Sequence, residues 1–175
     1  MANTYILISS VTVGSGGAAN IEFTSIPQTY TDLVVMLSTR TTANGDNYGD
    51  TDLSFNGAPT GTAYSWRNLQ GTGAAAVSGS GSSDSAIFSR DMNGSGSTAS
   101  TFSNNSFYIP NYTSSNNKSV SADTVTENNA TQAIAGLTAG LWADSSAITS
   151  LRFTVVYGTS FAQYSTAYLY GISNA

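Results

Sequence analysis

Asp32-Leu-Val-Val-Met-Leu-Ser-Thr39 carries the strongest strand pattern in the first half of the chain. Side chains alternate along an extended backbone, so Leu33, Val35 and Leu37 share one face while Val34 and Met36 share the other. A short run that is apolar on both faces predicts a central strand. It has either a layer on each side or a buried interface on one side.

Working outward, the same test finds further short strands. Residues 5–13 place Tyr5, Leu7, Val11 and Val13 on one face, interrupted by Ser9, and Gly14-Ser-Gly-Gly17 follows as a turn. Residues 20–25 form a brief strand closed by Ile26-Pro27, because proline restricts its predecessor and donates no hydrogen bond. Residues 52–56 end in Asn56-Gly57, a hairpin-turn dipeptide. Residues 64–69 then put Tyr64, Trp66 and Asn68 on one face. Residues 71–85 are mostly Gly, Ala and Ser and predict an exposed loop.

Beyond that loop, strands are expected within 86–90, 100–109, 118–126, 132–142, 148–157 and 161–172. Gly136 and Gly140 disfavour a helix in the fourth of these. No segment sustains a 3.6-residue apolar stripe. The expectation is one all-β domain over residues 1–175. It would be a jelly-roll-like β-sandwich of about nine to eleven short strands with long Gly/Ser-rich loops.

The surface chemistry is unusual. Charged residues make up 9% of the chain, against about a quarter in ordinary domains. Ser, Thr, Asn and Gly must therefore supply most of the wet surface, a pattern suited to a chain held within an assembly. Five Lys plus Arg residues, scattered singly, and a net charge of -5 disfavour nucleic-acid binding. No apolar run has the length of a membrane span, and the opening residues lack the pattern of a secretory leader.

The chain contains neither histidine nor cysteine. That removes the commonest general base near neutral pH and the His- or Cys-based nucleophile arrangements. Carboxylate pairs remain, but Glu22, Asp32, Asp84, Asp91, Asp123, Glu127 and Asp144 are far apart in sequence. The chain is therefore expected to have no catalytic residues and no organic cofactor. One local cluster, Asp46, Asp50 and Asp52 with Asn44 or Asn47, is a weak calcium candidate. The competing reading is an Asx-rich turn that satisfies its own backbone. Tyr48, Tyr64 and Trp66 are candidates for stacking on a sugar ring, or for a core or protein interface.

A resemblance covers nearly the whole chain. Ile6-Leu-Ile-Ser-Ser-Val-Thr-Val-Gly-Ser-Gly-Gly17, Leu53-Ser-Phe-Asn-Gly57, Tyr108-Ile-Pro-Asn-Tyr112, Ala139-Gly-Leu-Trp142 and Gln163-Tyr-Ser-Thr-Ala-Tyr-Leu-Tyr-Gly-Ile172 carry it. These stretches resemble a family of small virion structural proteins of tailed bacteriophages of the cyanophage and marine phage type. The resemblance is thinnest over residues 71–100 and brings no catalytic motif. It implies a sandwich-type particle protein made in the host cytoplasm and carried on the virion surface. As a head decoration or cement protein, the chain would bind the major capsid protein as a homo-oligomer, by analogy a trimer. The alternative implied role is a tail-fibre module that recognises host surface carbohydrate. Exposure of Trp66 favours the second role, and its burial at a protein contact the first.

Overall fold

The computed structural model describes residues 4–42, 45–129 and 132–173. Its strands in chain order are β1 (Tyr5–Thr12), β2 (Asn20–Phe23), β3 (Asp32–Ser38) and β4 (Tyr48–Phe55). There follow β5 (Tyr64–Gly71), β6 (Ala76–Asp84), β7 (Ile87–Asn93) and β8 (Asn104–Ile109). The chain closes with β9 (Lys118–Val125), β10 (Ala135–Trp142), β11 (Leu151–Val155) and β12 (Thr166–Ile172). The described residues thus hold twelve strands, more than the nine to eleven expected. No helix among them is long and apolar enough to cross a membrane.

The extra strand is β6. Residues 71–85, expected to be a loop, are mostly strand, paired antiparallel with β5 from Gly71↔Ala76 to Tyr64↔Asp84. Core-forming side chains are indeed missing there. Backbone hydrogen bonding to a neighbouring strand does not require them, and an edge strand has only one neighbour to satisfy.

The strands form two antiparallel sheets, of order β1-β12-β3-β8-β9-β10-β5-β6 and β2-β11-β4-β7. They pack face to face as in a β-sandwich. Between them lies an apolar core that includes Leu33, Val35, Leu37, Phe107, Ile109 and Leu169 from the large sheet. Ile21, Phe23, Leu53, Phe55 and Phe153 come from the small one. Phe107 meets Phe153 edge-to-face at 4.9 Å across this layer. β3 is central, as its pattern predicts, and Met36 on its other face is exposed.

Two local expectations need correction. The face drawn through Tyr5, Leu7, Val11 and Val13 is broken by a bulge between Leu7 and Ser9. The extra residue leaves Tyr5 and Leu7 exposed and turns Ile8 and Val11 toward the core. Asn56-Gly57 does form a turn, with φ of 54° and 140°. It closes no hairpin, because β4 and β5 lie in different sheets. Instead Asn56 Oδ1 accepts from the Thr149 N–H at 2.8 Å, and its amide donates to Ala147 O at 2.9 Å.

Candidate functional site

The large sheet has twice as many strands as the small one, and the small sheet ends at β7. β5 and β6 therefore project past its edge. On β5 the inward side chains are Tyr64, Trp66, Asn68 and Gln70, while Arg67 and Leu69 point to the opposite, exposed face. Where the projecting strands pass β7, Trp66, Asn68, Gln70, Val77, Phe88 and Arg90 line a groove of about 360 Å³.

Each wall of the groove has a local cause. Trp66 and Phe88 pack with ring centroids 5.1 Å apart, and Trp66 Nε1 donates to Asp84 Oδ2 at 3.0 Å. The indole fits against β6 because Gly81 has no side chain; a Cβ there would overlap its ring nitrogen. At Gly79 a Cβ would crowd Asn68 Oδ1 at 2.9 Å. Glycines two apart on one strand therefore clear one face of it. At the far end Arg90 Nε donates to Asp50 Oδ1 at 3.1 Å, and the guanidinium lies 4.6 Å from the Tyr48 ring centroid. Tyr48 in turn stacks on Tyr157 at 6.3 Å.

The rim is acidic. Burial raises the Asp50 carboxyl despite the opposing pull of Arg90. Asp52 is pushed up to about 6, first by burial and then by Asp84 and Asp50. The one guanidinium in the groove lining is paired with Asp50, so the groove offers no surplus positive charge.

The candidate residues are dispersed. Asp50 is engaged by Arg90, Asp46 interacts with Tyr157, and Asp52 sits nearer Asp84. Among the described residues, no three carboxylates converge on a point that could hold a metal ion. The proposed calcium set is therefore not assembled. Asp50 pairs across the sheet with Arg90 just past a register shift at Gly49/Asp50, and its carboxylate is taken up by the Arg90 guanidinium. Asn44 lies outside the described residues. Tyr64 is buried, not on an exposed platform: its hydroxyl accepts from the Phe55 N–H at 2.9 Å and its ring stacks on Trp142. Trp66 alone of the three aromatics lines the groove, and Tyr48 reaches it through Arg90.

Gln70, Phe88 and Arg90 were not singled out by sequence, and Asn68 was placed on the face of Tyr64 and Trp66 but not as a site residue. The parity of Trp66, Asn68 and Gln70 was available, as was the two-residue spacing of Gly79 and Gly81. Ending the strand at Leu69 left out Gln70, and reading the glycine-serine run as a loop hid the two glycines. No protein-family model, curated protein or solved structure matches the chain.

Proposed function

We propose that this chain is a non-enzymatic structural protein of a tailed-phage particle, a head decoration protein that binds neighbouring capsid subunits. The observation that carries this reading is the uncovered outer face of the large sheet. Tyr5, Leu7, Met36, Leu69, Tyr108, Val125, Leu137, Leu141 and Tyr168 are all exposed there. The ionisable strand residues interspersed among them on that face are Asp32, Arg67 and Asp123. Tyr108 donates to Asp32 at 2.9 Å, which ties down one of these charges. Exposed apolar surface spread over several strands is a mark of interaction sites. Tyrosine suits such a face, because it buries large area and keeps a polar tip.

Shape supports the same reading. An apolar dimple of about 370 Å³ lies on this face between Leu69, Val125, Ala135 and Leu137. It would receive a protruding apolar side chain of a capsid subunit. The strand order supports a jelly-roll reading: β1-β12-β3-β8 faces β2-β11-β4-β7, with β5–β6 and β9–β10 as two hairpin insertions that widen the first sheet. The resemblance to phage virion proteins supplies the particle.

Immunogold labelling of purified particles, with antibody raised against the whole chain, tests the proposal. Gold distributed over the head is the expected result. Gold confined to the tail would overturn the decoration role and favour a receptor-binding one.

A further inference from the structure

We infer that the groove between β5, β6 and β7 is a binding site for a neutral saccharide. The inference goes beyond the particle role and stands without it. Asn68 and Gln70 are 8% and 6% exposed, and both line the groove. Among the described residues neither carboxamide has a hydrogen-bond partner. Neither amide is among the fully buried polar atoms that lack a partner, so both open onto the groove and are free to bond what enters it. Two such amides side by side on one strand face present a row of free donors and acceptors to a ligand that enters the groove.

The chemistry selects the ligand class. A carboxamide both donates and accepts, as a hydroxyl does, so a pair of them matches a polyhydroxylated ring. Asn68 and Gln70 are two residues apart, about 7 Å along the strand, which spaces their amides for one sugar unit. Trp66 and Phe88 form the apolar wall that the carbon face of a sugar would cover. An anionic ligand is disfavoured, because Arg90 is already paired with Asp50, and Asp52 and Asp84 stand nearby. The volume of about 360 Å³ is at the small end of ligand sites, which run from about 300 to 1,000 Å³. Alternation on β5 also separates the two surfaces: Arg67 and Leu69 face the docking side, and Trp66, Asn68 and Gln70 face the groove. A chain docked on a particle would keep its groove open.

The test is nuclear magnetic resonance on the 15N-labelled full chain, titrated separately with neutral oligosaccharides ending in glucose, galactose, mannose or N-acetylglucosamine. Inorganic phosphate serves as the anionic comparator. At least one of the four sugars is expected to shift the Asn68 and Gln70 side-chain amides and the Trp66 indole N–H. Asn68→Leu and Gln70→Leu are each expected to weaken that binding at least tenfold while the thermal midpoint stays unchanged or rises. An unchanged or raised midpoint separates this role from a structural one, because an amide that holds the fold together would lower the midpoint on replacement. No shift with any of the four sugars at millimolar concentration would overturn the assignment. So would a shift produced by phosphate alone, or Leu variants that lose stability and keep their affinity.

Discussion

The inner face of the large sheet is two surfaces. Under β12, β3 and β8 it is aliphatic and aromatic: Leu33, Val35, Leu37, Phe107, Ile109 and Leu169 are essentially inaccessible and meet the small sheet. Under β10, β5 and β6 the inner face keeps Trp142, Tyr64 and Trp66, but it also holds Thr138, Asn68, Gln70 and four glycines, Gly136, Gly140, Gly79 and Gly81. The backbone pairing is antiparallel throughout both regions, with one register shift at Tyr64/Ser65 in the β5–β6 pair. The difference lies in what stands opposite. The first region faces a full sheet, and the second faces only its edge strand. A strand face opposite another sheet must be apolar to repay the entropy of ordering it, whereas one opposite an edge can hold polar groups and a groove.

The comparison breaks most sharply at Phe107. Phe107→Ala should lower unfolding stability by about 3–5 kcal/mol, measured by urea denaturation, because it empties the contact with Phe153. A loss under about 1 kcal/mol, a third or less of the expected effect, would mean the two regions are packed alike.

A smaller effect is expected where the projecting strands meet β7. A Cβ at Gly140 would stand 2.7 Å from Ile87 Cδ1. Gly140→Val should therefore cost about 1–3 kcal/mol through overpacking, and adding Ile87→Ala should recover part of it. Additive losses in the double variant would argue that the two residues do not touch.

The acidic rim gives a pH-dependent prediction. The folded pKa of Asp52, about 6, lies above its ordinary value of 3.8, so protonation favours the folded state. That stabilisation is complete below about pH 4 and is lost as pH rises through about 6. After discounting for partial solvent exposure, the effect is about 1 kcal/mol. Asp52→Asn should be more stable than the parent at pH 7 by that amount, with the difference vanishing near pH 4. A difference independent of pH would refute the assignment.

The smallest stability effect belongs to the outer face. Leu69→Ser combined with Leu137→Ser should change stability by about 0.5 kcal/mol or less, since both side chains are more than half exposed. The same pair should reduce occupancy on particles, scored by the gold labelling. Unchanged occupancy would move the capsid contact off this dimple.

Much of the first region was legible in the chain. β3 was found with the right faces and strands were placed at β9 and β12, because burial against a sheet imposes period two on the side chains. β1 was found with part of its face wrong, since a single bulged residue reverses the parity and leaves no mark in composition. β6 was missed, because a strand of Ala, Ser and Gly has no apolar period to detect. The groove was only half legible: Trp66 was picked out as an aromatic, while Asn68 and Gln70 look like ordinary surface amides until burial is known.

The sequence by itself determined an all-β chain of many short strands with a low-charge surface, because alternation and composition are local properties of neighbouring residues. The tertiary structure decided which strands meet. Pairing between β5 and β10, and the end of the small sheet at β7, depend on contacts between distant residues. Only that mismatch in sheet width puts two amides, an indole and a paired guanidinium around one groove, and it leaves exposed apolar side chains on the other side of the same strand.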